Sequence, residues 1–246
     1  MKDLRRRDPS TAPRTTDAAK SADVSAFLAR AAEVKPGTGG TGRLVFALDA
    51  TMSRQPTWDA ACRLQGEMFR EVGQVGASGA GGGELAVQLV YFRAFDECRA
   101  SRWATDTRTL SDLMTGLQCR GGLTQIGKVL THVRREAGKK EVGRIDALVY
   151  VGDAMEEELD TLAHRAGELA LLGVPAFMFQ EGRDGRAETA FREIARITRG
   201  AYMRFDEGSA AELARLLRAV ARFAAGGRRA LANGDRTDRL LLEQLK

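Results

Sequence analysis

Histidine, cysteine and proline are scarce in this 246-residue chain, numbering two, three and five, and aromatic residues contribute only 6%. The cysteines, Cys62, Cys98 and Cys119, are far apart, odd in number and lack the close spacing of a zinc site. Neither a disulfide framework nor a thiolate metal centre is expected, and reduced thiols in a cytoplasmic protein account for them. His132 and His164 both fall within predicted helices, with no histidine or cysteine at ligand spacing, and read as structural or surface residues. Long apolar runs are missing too. No stretch could span a bilayer, and no hydrophobic segment follows the basic start MKDLRRR, so neither a membrane partner nor a secretory signal is expected.

An excess of charge on the body of the chain is also lacking. The net charge of +5 is carried by the ends: residues 1–40 hold eight Lys/Arg against five Asp/Glu, and residues 226–246 hold five against three. Residues 41–225 hold 25 of each sign. A nucleic-acid-binding domain concentrates its basic excess on the folded surface, so this distribution argues against nucleic acid as a partner. The ends read instead as solvated tails, with weak contact between Arg5–Arg7 and an acidic partner left open.

What is present is an alternation of strands and helices. Residues 1–40 read as a flexible arm, polar and unpatterned over 1–22, with a short amphipathic helix over 24–34. PGTGGTG (36–42) imitates a phosphate-binding loop but precedes a strand, follows none and has Arg43 where lysine belongs, so it reads as a linker. A domain over 41–225 follows. LVFAL (44–48) is a continuous apolar run, as for a strand covered on both faces. Pro56 suits the first turn of a helix whose buried stripe includes Trp58, Ala61, Met68 and Val72, and 73–84 is a glycine-rich connection. LAVQLVYFR (85–93) predicts a strand, with ECRASRW (97–103) as an edge hairpin beside it. Helices are expected over 107–117 and 124–135, a strand in DALVYVGDAM (146–155), a helix over 157–172 and a strand at VPAFMFQ (174–180). A helix over 188–198, a strand at GAYMRF (200–205) and a helix over 209–223, capped by Ser209 and Glu212, complete the pattern. Residues 226–246 form a tail with a short helical segment. Strands joined by helices imply a three-layer α/β fold with a mostly parallel, doubly wound sheet and one antiparallel edge strand.

In such a sheet, ligands bind beyond the carboxyl ends of the strands, and three polar signals fall there. Asp49-Ala50-Thr51-Met52-Ser53 follows the first strand, Thr124 closes the glycine-rich turn GGLT, and Gly152-Asp153 follows the strand 147–151. Singly, each is a common helix cap. Together they bring five oxygen-bearing residues to one edge of a sheet.

These five residues resemble the metal-ion-dependent adhesion site of the von Willebrand factor A family. Its pattern is Asp-x-Ser-x-Ser after the first strand, a threonine in a later loop and an aspartate after the fourth strand. Asp49, Thr51, Ser53, Thr124 and Asp153 match in order, with Thr51 where serine is usual, and the likeness extends over about 43–225. The resemblance implies a Rossmann-like fold and a Mg²⁺ site, with Mn²⁺ or Ca²⁺ as substitutes. Thr51, Ser53 and Thr124 would supply hydroxyls, while Asp49 and Asp153 act mainly through waters. An ion with so little direct anionic ligation stays electrophilic and favours a carboxylate from a protein partner. The function implied is therefore interaction without catalysis, in a cytoplasmic adaptor of an ATPase or stress-response system.

Two other readings compete. Asp49-Ala-Thr also resembles the nucleophile motif of haloacid dehalogenase-type phosphatases, with Thr124 binding phosphate, Gly152-Asp153 and Glu156 or Glu157 binding metal, and Lys139 or Lys140 as the loop lysine. That pattern lacks its second aspartate here and gives Ser53 no role. The third reading is a metal-free scaffold in which Thr51 and Ser53 only cap a helix. The acidic run 156–158 is expected to start a helix and complement its dipole; at the rim of the site it would instead oppose acidic ligands.

Overall fold

A computed structural model of the chain describes residues 42–57, 85–106, 109, 112, 116–140, 142–205, 215, 217–222 and 224. The expected arm and its helix, the glycine-rich connection 73–84, the tail and all of the helix expected from Pro56 beyond residue 57 lie outside these residues. So do Cys62, the Ser209 cap and most of the segment 107–117. Pro56 itself falls in a 3-10 turn.

Among the described residues six strands form one sheet: β1 (Gly42–Asp49), β2 (Leu85–Arg93), β3 (Glu97–Ala100), β4 (Ala147–Gly152), β5 (Ala176–Glu181) and β6 (Ala201–Phe205). Three helices among the described residues have both ends defined, α1 (Ile126–Ala137), α2 (Leu159–Leu171) and α3 (Gly185–Ile197), and a 3-10 turn spans Met52–Thr57. The strand order is β3-β2-β1-β4-β5-β6. Every pairing is parallel except β2 with β3, where Val90 to Arg93 run antiparallel to Ala100 to Glu97. The sheet is thus doubly wound, mostly parallel, with one antiparallel edge.

Its two faces follow from the alternation of side chains along each strand. Leu44, Phe46 and Leu48 of β1 join Val149, Phe177 and Leu217 in one core. Val45 and Ala47 join Tyr150, Val129, Leu162 and Phe191 in the other, beneath α1, α2 and α3. Because both faces are covered, the central strands are apolar throughout and not alternating. β4 is buried at all six positions. Residues 215, 217–222 and 224 are helical, and Leu217, Val220, Ala221 and Ala224 supply the cover of the first core.

The helices begin where tertiary partners allow. α3 starts at a side-chain cap, Asp184 Oδ1 accepting from Ala187 N–H at 2.6 Å. α1 starts two residues later than the periodicity predicts, at Ile126, because Thr124 is engaged elsewhere. His132 of α1 is half-buried with its Nε2 2.8 Å from Gln88 Oε1 on β2, and His164 is exposed on α2.

Candidate metal centre

β1 lies at the centre of the sheet; from it the chain proceeds to β2 on one side and later to β4 on the other. The crevice between the carboxyl ends of β1 and β4 is therefore the topological switch point, where doubly wound sheets bind ligands. Asp49 is the last residue of β1, and Asp153 follows Gly152, the last residue of β4.

The first loop is shaped by Asp49 itself. Its Oδ1 accepts the backbone N–H of Thr51 at 2.8 Å, the turn an aspartate makes with the chain two residues on. That bond ends the strand and leaves Thr51 Oγ1 3.0 Å from Ser53 Oγ. The extra methyl of threonine does not force the two hydroxyls apart. Ser53 is exposed, Thr51 nearly buried and Asp49 wholly buried. Arg120 N–H donates to Ala50 carbonyl at 3.1 Å and Ala50 N–H to Phe92 carbonyl at 2.9 Å, so this loop is tied to the one carrying Thr124 and to β2.

The Thr124 loop is anchored from both sides. A Cβ on Gly122 would stand 2.0 Å from the carbonyl oxygen of Ala94, so only glycine allows the loop to lie against the β2–β3 turn. Gln125 donates its side-chain amide to the carbonyls of Arg93 and Ala94, each at 3.2 Å. Thr124 and Glu156 bond reciprocally: Thr124 N–H donates to Glu156 Oε2 at 2.9 Å, and Glu156 N–H donates to Thr124 Oγ1 at 3.0 Å. A hydroxyl has two lone pairs and one proton, so Thr124 keeps one lone pair for another partner.

The acidic run 156–158 thus corrects the sequence expectation. Only Glu158 stands at the start of the following helix, and it makes no side-chain cap. Glu157 accepts from the backbone N–H groups of Ile126 and, at 2.9 Å, Gly127, the first turn of α1. The run serves the preceding helix across the loop, and its charge meets that helix's positive end.

Electrostatics sharpen the picture. Burial pushes the Asp49 carboxyl up from 3.8 to about 6, the charge of Asp153 adds to this, and bonds from Thr51 and the charge of Arg54 oppose it. Asp49 Oδ2 and Asp153 Oδ1 are both buried without a hydrogen-bond partner. Two orphaned acid oxygens beside a pair of hydroxyls form an all-oxygen donor set suited to a hard divalent cation. Among the described residues no group of three or more His, Cys, Asp or Glu is placed to hold a metal, so a cation here would depend on the hydroxyls.

Sequence reasoning missed Arg54. One residue beyond Ser53, its side chain is fully buried. Nε donates to Glu181 Oε2 at 2.9 Å, and Nη1 lies 3.5 Å from the carbonyl of Asp49 and 3.4 Å from that of Val151. The guanidinium therefore joins the ends of β1, β4 and β5 beneath the loop. Its only local signal is an arginine in a turn, which ordinarily faces solvent.

Of the features a phosphatase would need, the loop lysine is the one not brought to Asp49. Lys139 pairs with Glu136 at the far end of α1. The chain then passes Gly143, close to the Arg43 guanidinium, and Asp146, whose N–H donates to Arg43 carbonyl at the start of β1. This lysine lies at the opposite edge of the sheet from Asp49, and Asp49 has no exposed surface from which to attack an ester.

A doubly wound α/β domain with a hydroxyl-and-carboxylate cluster at its switch point is the class these features define. Solved structures place the fold more narrowly, as that of the von Willebrand factor A domains. BatB from Bacteroides thetaiotaomicron aligns with a TM-score of 0.54 and 17% identity, over 73% of this chain and 98% of its own. The von Willebrand factor type A protein from Catenulispora acidiphila gives 0.58 and 15% over 75% of this chain and 43% of its own. Proximal thread matrix protein 1 from the mussel byssus, solved with a zinc-occupied metal-ion-dependent adhesion site, gives 0.57 and 15% over 75% and 46%. No family model and no curated protein matches the sequence.

Proposed function

We propose that the chain is a protein-interaction module that holds a divalent cation, Mg²⁺ by preference, at the carboxyl ends of β1 and β4. The carrying observation is the pair of buried, unpartnered oxygens, Asp49 Oδ2 and Asp153 Oδ1, beside the paired hydroxyls of Thr51 and Ser53. Thr51, Ser53 and Thr124 hold the ion through hydroxyls, and the two aspartates hold its waters. A bound ion supplies an electrophilic position for a partner's Asp or Glu. The zinc-occupied site of the mussel protein supports divalent binding by this fold.

The surroundings favour association over catalysis. Three of the five exposed large apolar side chains among the described residues sit on this edge: Met52 between Thr51 and Ser53, Leu123 beside Thr124, and Phe95 in the β2–β3 turn against which Gly122 packs. Apolar groups around an ion site give a partner dehydrated contact area next to its carboxylate. Glu156 at the rim already has Oε2 committed to the Thr124 N–H, so its charge is partly satisfied within the loop. A reducing, cytoplasmic setting accords with three cysteines spread far apart along the sequence. An adaptor role for an ATPase or stress-response system belongs to the same proposal.

Calorimetric titration of Mg²⁺ or Mn²⁺ into the wild type should give saturable heat that an Asp49→Ala/Ser53→Ala variant lacks. Capture of a protein partner should then be abolished by a chelator and restored by Mg²⁺. Negligible heat in both proteins would leave the metal-free scaffold. Turnover of a generic phosphate ester, lost in Asp49→Asn, would replace the proposal with the phosphatase.

A further inference from the structure

A third buried oxygen at this edge belongs to a residue that the adhesion-site pattern does not include. Tyr150, on β4, is 1% exposed, and its hydroxyl has no hydrogen-bond partner. Buried phenols ordinarily find one, because an unpaired buried donor is costly. The ring cannot swing to find another. It stacks on Phe92 with centroids 6.2 Å apart and meets Phe191 edge-on at 5.2 Å, a rigid aromatic slot.

The direction of the side chain is set by Gly152. A Cβ at Gly152 would lie 2.8 Å from Tyr150 Cε1 and 2.8 Å from its hydroxyl oxygen. Tyr150 and Gly152 are two apart on one strand and share a face. The phenol therefore runs along β4 toward its carboxyl end and passes over the space a larger residue would fill. Its oxygen comes level with Gly152, next to Asp153. The charged groups that bear on it are Asp49, Glu157, Asp153 and Arg54, all of them at this edge. Three buried oxygens without partners, from Asp49, Tyr150 and Asp153, thus gather where β1 and β4 end.

We propose that Tyr150 is a positioning residue of the cation site, its phenol O–H donating into the hydrated cluster through which Asp49 and Asp153 hold the ion. This rests on the cation-binding reading above. The chemistry is complementary: the two aspartates, once ionised, offer only acceptors, and the phenol offers the donor that fixes their orientation. Residues that orient metal-holding groups in this way typically change affinity by about 10–100-fold when removed. In the sequence the residue is hidden, because a tyrosine inside ALVYVG reads as strand core.

Tyr150→Phe keeps the ring and its stacking and removes only the oxygen. With Mn²⁺ as the probe and the full chain in the cell, calorimetry should give about 10–100-fold weaker affinity for the variant. The metal-free thermal midpoint should be unchanged or raised, since an orphaned buried hydroxyl is deleted. Mn²⁺ should also perturb the near-ultraviolet tyrosine spectrum of the wild type, and this signal should vanish in Tyr150→Phe. Equal Mn²⁺ affinity in the two proteins overturns the role of Tyr150 while leaving the cation site standing. A wild type that binds no Mn²⁺ overturns both. A loss of affinity matched by a lowered metal-free midpoint assigns Tyr150 to packing alone and also overturns the proposal.

Discussion

Arg54 carries a full charge into the floor of the site, and its value depends on Glu181 remaining opposite. Removing one member of a buried pair strands the other, at about 3–5 kcal/mol, whereas the intact pair contributes far less than that. Arg54→Met should therefore lower the unfolding free energy by about 3–5 kcal/mol in urea titration. The double variant with Glu181→Gln should recover part of the loss. A single-variant loss below about 1 kcal/mol, typical of a solvated surface pair, would show that the guanidinium is not held as described. Arg54 was illegible in the sequence because its partner is 127 positions away. Asp49, Thr51 and Ser53 were legible because their relationship is local: an aspartate that bonds the chain two residues on leaves its mark in the spacing itself. Thr124 and Asp153 could be placed only through the alternation of strands and helices. Tyr150 gave no sign, since it resembles core, and Glu157 stood out only as part of an acidic run whose partner, the preceding helix, could not be told from the following one.

At the scale of single elements, strands were read more faithfully than helices. β2 coincides with the apolar run 85–93, and β4 extends the run 147–151 by one residue. Both are continuous apolar segments with abrupt ends, a signal that needs no outside partner. α1 is different, because its start is decided by groups from the loop after β4. Glu157 supplies acceptors to its first turn, so Glu157→Ala should cost about 1–2 kcal/mol and expose the amides of Ile126 and Gly127 to faster hydrogen exchange. α1 also carries a pH dependence at its middle. Burial first, then the charges of Lys139 and Arg135, holds the His132 imidazole below its ordinary value of 6.5, against the charge of Glu136. The unfolded chain thus binds this proton more readily than the folded one. Its contribution to stability is complete above 6.5 and is lost as pH falls below that value. The difference in unfolding free energy between the wild type and His132→Gln, measured from about pH 7 down to 5, should therefore shift against the wild type as the pH falls, which separates the imidazole from the acids that titrate in the same range.

For the whole molecule, the doubly wound order turns a scatter of short motifs into one cluster, and that cluster should couple folding to cation binding. Without a cation, Asp49 has its carboxyl raised to about 6, so the folded chain takes up this proton first and the associated stability is lost as pH rises through about 6. A divalent ion competes with that proton and should reverse the trend. At a hundredfold excess over its dissociation constant it should add about 2.7 kcal/mol. That corresponds to about 5–10 °C in thermal midpoint for a domain of this size. The increment should shrink as the buffer is taken below pH 6, and Asp49→Asn should abolish the difference. The edge strand β3 has a consequence of another kind. It is only four residues long, carries Glu97 and Arg99, and sits beside the Arg93–Glu97 pair. Short, charged edges repel a neighbouring strand that would extend the sheet. Self-assembly by strand addition is discouraged on that side, which protects the protein from edge-to-edge aggregation at high concentration and leaves the loops, not the hydrogen-bonding backbone, as the place where another chain can settle.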